Sequence, residues 1–156
     1  MSQQDTSASD RISDTLSQLR PAAQGVFNAA DQLAKSISTI ERTLKSMNVN
    51  FEAWATYRDA DDDHTIDHWD VGYSRVNGHW GICIKTVYGS AYHPEEVDVT
   101  RWHFNEAPLY LRPQAVAKIP DVIEALVKTA PSVEKKILSA AEQAESIAQA
   151  VTKAKK

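Results

Sequence analysis

The densest chemistry in the chain lies in RDADDDHTIDHWD, residues 58 to 70, where six aspartates and two histidines fall within thirteen positions. Asp59, Asp61 and Asp63 stand at the first, third and fifth places of a calcium loop of EF-hand type, Asp67 at the ninth and Asp70 at the twelfth, with Ile66 as the apolar eighth. Carboxylates so spaced could share a divalent cation, the one cofactor the sequence suggests. The match is partial. His64 takes the sixth place, where Gly permits a sharp turn, Asp70 is shorter than the usual Glu, and the flanks read as strands rather than helices. A solvated acidic loop accounts for the same residues, since water screens crowded carboxylates as a cation would. His64 and His68, four apart, would bring two zinc ligands together on a helix, but the segment does not read as helical and no Cys pair or HExxH motif accompanies them.

Two further groups could bind or react. His103, between Trp102 and Phe104, could line a pocket with Arg101, Arg75, Tyr73 and His79, and an imidazole there would suit a base working near neutral pH. Gly72, Ser74, Gly81 and Lys85 form the second group, because small residues on one face of a sheet leave a shallow floor for a ligand, and Arg75 near the turn is a further ligand-binding candidate. Nothing in the chain supplies a nucleophile motif: there is no GxSxG and no Gly-rich phosphate loop. Cys83 is the lone cysteine, so no intrachain disulfide exists, and it reads as a small apolar packing residue.

These residues must be held by strands. Asn77-Gly78 lies between two runs of strand formers, Trp69 to Val76 and His79 to Thr86, and both residues tolerate the positive φ of a type I′ turn. Antiparallel pairing then sets Val76 against His79, Arg75 against Trp80, Tyr73 against Ile82 and Val71 against Ile84. One face becomes large and apolar, with Arg75 expected to lie on the Trp80 ring; the other carries Asp70, Gly72, Ser74, Gly81, Cys83 and Lys85. Residues 51 to 57 alternate as a preceding strand and 97 to 104 as a following one, in a meander. Residues 88 to 96 read as a loop, and residues 105 to 113, with Pro108 and Pro113, as an extended link.

On either side the period changes. Ile12, Leu16, Leu19, Ala23, Val26, Ala30, Leu33, Ile37, Ile40, Leu44 and Met47 step by four and three, as do Val116, Ile119, Ile123, Leu126, Ala130, Val133, Ile137, Ala140, Ala144, Ile147, Val151 and Ala154. Pro21 predicts a kink or restart in the first helical arm, and Pro120 and Pro131 predict segmentation of the second. A continuous arm would span about 55 Å, too long for a compact domain of this size to cover alone. Paired antiparallel, Met47 comes near Val116 and Ile12 near Val151, and large side chains face small ones: Leu19 with Ala144, Ala30 with Val133. Bundling between subunits is the rival. Val122, Val127, Leu138 and Ala148 widen the stripe and call for a third surface.

The expected fold class is therefore α+β: a central antiparallel β meander of about four strands, flanked by long heptad-patterned helical arms that pair antiparallel or bundle between subunits. Residues 1 to 9 are expected as a disordered polar tail and 10 to 156 as one domain, with arms at 10 to 48 and 113 to 154 and a β head at 50 to 105. Ser9 or Asp10 is the expected cap of the first arm.

Charge is uneven. Residues 51 to 110 hold 11 acidic and 4 basic side chains, so a nucleic acid is not expected to bind there, while residues 111 to 156 hold 8 basic and 5 acidic. No apolar run reaches the roughly 18 residues of a membrane span, and the start lacks a signal peptide, so a cytoplasmic location is expected. The leading expectation is a non-enzymatic homo-oligomeric interaction module, its arms associating and its acidic, aromatic-rich head recognising a protein partner or small ligand. A small-molecule or metal-binding protein is the alternative, and a small hydrolase comes third.

Overall fold

The structure, a computed structural model, describes residues 3–155. A long helix α1 (Gln3–Ser46) leads into four strands, β1 (Ala53–Asp59), β2 (Thr65–Val76), β3 (His79–Ser90) and β4 (Asp98–His103). The chain continues through short 3-10 turns and a one-turn helix α2 (Arg112–Ala115) to a second long helix, α3 (Ile119–Ala154). The strands form one antiparallel sheet in the order β1-β2-β3-β4, a meander with helices at both ends, which is the expected α+β class.

The central hairpin follows from its turn. Asn77 and Gly78 have φ of 52° and 82°, the left-handed values a type I′ turn requires. Every strand pair named from the turn outward is present, from Val76 with His79 to Val71 with Ile84. Val71, Tyr73, Ile82 and Ile84 on the large face are fully buried. Trp80 stacks on Tyr73, with centroids 5.5 Å apart and planes at 21°, and Arg75 is exposed rather than lying on Trp80. The indole takes the diagonal aromatic neighbour in preference to the cation, because two rings bury more apolar area than a ring and a solvated guanidinium.

The helices cover this large face only with their inner halves. Ile37 and Leu44 from α1, and Ile119, Val122 and Leu126 from α3, join the sheet in one core. The buried stripe of α3 runs through Val122, while Ile123, placed on the seam by its spacing, is 39% exposed. α3 packs on β1 and β2, and the side it turns to them is that of Val122. α1 ends at Asn48, whose φ of 57° makes the left-handed cap, with the Val49 N–H donating to the Leu44 carbonyl at 3.2 Å.

Four expectations change. α1 begins at Gln3, so the segment expected as a tail belongs to the helix from that residue on, and Ser9 and Asp10 are interior; neither Gly nor Pro interrupts residues 3 to 20. The helical runs continue through Pro21 in α1 and Pro131 in α3, each losing one backbone donor without ending the helix. β3 extends to Ser90, into the expected loop. Residues 105 to 113 are not an extended link: 3-10 turns at Phe104–Glu106 and Leu109–Leu111 lead into α2, and Phe104, Ala107, Leu111 and Ala115 are buried beneath the helices. Arg112 Nε donates to the Ala107 carbonyl at 2.8 Å and Tyr57 Oη donates to the Leu111 carbonyl at 2.8 Å, which fixes that segment to the sheet.

The cover over the arms stops where the sheet stops. Ile12 is 60% exposed, Leu19 56% and Ile147 64%, so the outer halves of α1 and α3 do not cover each other.

Candidate functional site

The acidic loop is the connection between β1 and β2, and its carboxylates are turned onto its own backbone. Asp59 Oδ1 accepts the Asp61 N–H at 3.0 Å, and Asp62 Oδ1 accepts the N–H groups of His64 and Thr65 at 2.8 and 2.6 Å. Asp61 Oδ1 accepts the Asp67 N–H at 2.6 Å and lies 3.0 Å from His68 Nδ1. The His68 contact, helped by that backbone N–H, holds the Asp61 carboxyl below the usual carboxylate range. Asp67 forms a two-pronged ion pair with Arg58 at 2.9 and 3.3 Å, and Arg58 lies 4.4 Å over the Trp69 ring. Asp63 is exposed on the loop. Among the described residues no group of three or more His, Cys, Asp or Glu side chains is placed to hold a metal ion. Asp59 and Asp61 of the spacing that matched a calcium loop, with Asp62 beside them, accept N–H groups that close a β hairpin. His64 and His68 diverge, His64 pairing and stacking with Tyr92 while His68 faces Asp61 and Asp70.

Asp70 belongs to the sheet rather than the loop. It is 6% exposed, accepts the Thr56 hydroxyl at 2.7 Å, and has Lys85 Nζ at 3.5 Å and His68 Nε2 at 3.7 Å. Lys85 lies 4.2 Å over the Trp54 ring. A carboxylate this buried needs a compensating charge and hydrogen bonds, and Lys85 with Thr56 provides them.

The same Trp54 occupies the expected ligand floor. It is the strand partner of Gly72, and a Cβ at Gly72 would meet its ring and the Ala53 carbonyl at 2.5 Å, so the glycine is the seat of the indole. Ser74 donates to Glu52 Oε2 at 2.8 Å. Gly81 leaves room for Glu41, which reaches in from α1: its Oε1 accepts the Ile82 N–H at 2.9 Å. That N–H has no strand partner, because β4 ends at His103 opposite Cys83. Glu41 thus completes the sheet edge and ties α1 to it.

Residues Gly72, Ser74, Gly81 and Lys85 are therefore together, as one face, and the side chains of Trp54, Glu52 and Glu41 fill it. Arg75 faces solvent. His103 lies nearby, its Nε2 donating to the Val76 carbonyl at 2.8 Å and its Nδ1 3.8 Å from Cys83 Sγ. This Cys–His pair is built for packing, not attack. Cys83 is fully buried, and burial followed by the nearby Glu41 charge pushes its thiol up to about 12, away from the thiolate a nucleophile needs. Tyr73 lines an open cavity at the turn end of the hairpin with His79, Trp80 and Lys45, its hydroxyl donating to the Val49 carbonyl at 3.0 Å.

Glu41, Glu52 and Trp54 were not legible as partners of this face. The pairing of Trp54 with Gly72 depends on a bulge between Thr56 and Arg58 that shifts the β1 register, and no local residue type announces it. Glu41 sits beside the seam residue Ile40 and looks like any solvated helix charge.

What the head leaves open is its rim and the helices beyond it. Tyr88, Tyr92 and Tyr110 are exposed, Tyr110 packing edge-on to Trp69 with centroids 5.9 Å apart. Ile12, Leu16, Leu19 and Val26 on α1, and Ile137, Leu138, Ile147 and Val151 on α3, are each more than half exposed. The chain matches no family model, no curated protein and no solved structure. Among the described residues no helix is long and apolar enough to cross a membrane.

Proposed function

We propose that this chain is a non-enzymatic homo-oligomeric interaction module, in which the helical arms associate and the acidic, aromatic-rich β head is presented to a protein partner or a small ligand. The observation that carries this reading is the pair of apolar stripes left uncovered on the outer halves of α1 and α3. Burying a single Leu or Ile side chain stabilises by about 1.5–3 kcal/mol, so four such residues on each arm form a strong drive toward a covering surface. The head supports the second part of the reading. The polar side chains of Arg58, Asp61, Asp67, Asp70, Ser74 and Lys85 bond within the head, its thiol is buried and protonated, and its rim offers exposed tyrosines, a residue type enriched at binding surfaces.

Sedimentation velocity across a wide concentration range tests it. Association that Leu16→Lys with Leu19→Lys abolishes, while the melting of the head stays the same, is the expected result. A monomer at every concentration overturns the reading.

A further inference from the structure

We infer that the covering surface is a second copy of this chain, and that the outer arms of two copies close an antiparallel four-helix bundle, α1 of each against α3 of the other. The inference rests on the self-association proposed above and specifies its geometry. Three observations carry it.

The first is register. Ile12 opposite Val151, Leu16 opposite Ile147 and Leu19 opposite Ala144 share one offset, and the same offset continues inward to Leu44 and Ile119, both of which belong to the one core. A seam that keeps one register from the packed part into the exposed part is fitted to the same kind of helix along its whole length. Since the outer halves do not cover each other within the chain, that helix is supplied by another copy.

The second is width. The positions flanking the α1 seam include Ala22, Phe27 and Ala29, and those flanking the α3 seam include Ala141, Ala148 and Ala150. In a two-stranded coil these places carry charges; here Arg20, Glu134 and Lys136 keep that character while the six named are apolar, and Phe27 is 66% exposed. An apolar stripe of that breadth is buried by two neighbours rather than one, as in a four-helix bundle. Two copies contribute four arms.

The third is charge. Residues 1 to 32 hold four acidic and two basic side chains, and residues 127 to 156 hold six basic and three acidic. Placing α1 beside α3 therefore sets a negative arm against a positive one, whereas α1 against α1 sets like against like. With the shared register, both heads come to the same end of the bundle and their tyrosine rims lie side by side.

Disulfide trapping tests this on the full chain. Leu19→Cys and Ala144→Cys are placed on separate copies, both at exposed sites that leave the core untouched, with the native Cys83 buried and silent. After mixing and oxidation, the cross-link between Leu19→Cys and Ala144→Cys should exceed either like-with-like product by about tenfold. A dominant product between two Leu19→Cys copies, or no cross-link between copies in a sample that sedimentation shows to be oligomeric, overturns the arrangement while leaving self-association standing. A monomer in sedimentation defeats both. As an independent arm, Lys153→Glu should weaken association and Asp10→Lys, at the position the shared register sets opposite it, should partly restore it when the two variants are mixed. Equal association of each variant alone and of the mixture would count against α1 lying beside α3.

Discussion

The inner and outer halves of the two long helices carry the same heptad pattern and meet opposite fates. Ile37, Leu44, Ile119 and Leu126 are buried against the sheet and the Phe104 to Ala115 segment, while Leu16, Leu19, Ile137 and Ile147 stand in solvent. The difference teaches that periodicity specifies a face and not its partner. Burial needs a second surface, and the four-stranded sheet is only long enough to cover the inner half of each helix.

The comparison can be broken most sharply at the core. Phe104→Ala should cost about 3–5 kcal/mol of unfolding free energy, because the ring is fully buried and nothing can collapse into its space without moving α1 or the sheet. Denaturant titration reads this directly, and a loss below about 1 kcal/mol would mean that the segment after β4 is not the core element described here.

Next in size is the filled face. Gly72→Ala should destabilise by about 1–3 kcal/mol, since its Cβ would sit 2.5 Å from the Trp54 ring and the Ala53 carbonyl. An unchanged melting temperature would mean that Trp54 can leave the face and the floor is open after all. Glu41→Leu should cost about 1–3 kcal/mol by leaving the Ile82 N–H without an acceptor, and faster hydrogen exchange at Ile82 is the signature that separates this from lost packing.

Alkali offers a further probe of the head. Burial raises Cys83 from 9.0 to about 12, and burial with the Asp70 charge raises Tyr57 from 10.0 to about 12. Both folded values lie above the unfolded ones, so the stability they contribute is whole below pH 9 and is lost as pH climbs toward 12. Stability measured from pH 8 to 12 should fall, and Cys83→Ala should flatten the first part of the fall.

The smallest effect is expected in the outer arms. Leu19→Ala should change the stability of the dilute chain by no more than about 0.5 kcal/mol, since the side chain is already exposed. The same change at high concentration should weaken association. If the dilute chain melts much lower, the outer arm packs within the chain and the contrast between the two halves dissolves.

Much of the sheet was legible because hairpin rules are local. Asn77-Gly78 determines its own turn, the turn determines the register of β2 and β3, and the register determines which side chains share a face. The candidate site was legible only as far as that register reached. Gly72, Ser74, Gly81 and Lys85 do lie together, but the side chains that fill their face come from β1, whose register is shifted by a bulge, and from α1, which is distant in sequence. The acidic loop is ambiguous for a related reason: short carboxylates serve a metal and a tight turn equally well, and the structure shows the hydrogen bonds of the turn.

By itself, then, the sequence determined the meander, the central turn and the apolar stripes, since each depends on residues a few positions apart. The tertiary structure alone decided that Trp54 covers Gly72, that Glu41 caps β3, that the segment after β4 belongs to the core and that the seams are covered only halfway. Those outcomes depend on which surfaces arrive together, and the free energy of burial is set by the pair of surfaces rather than by either one.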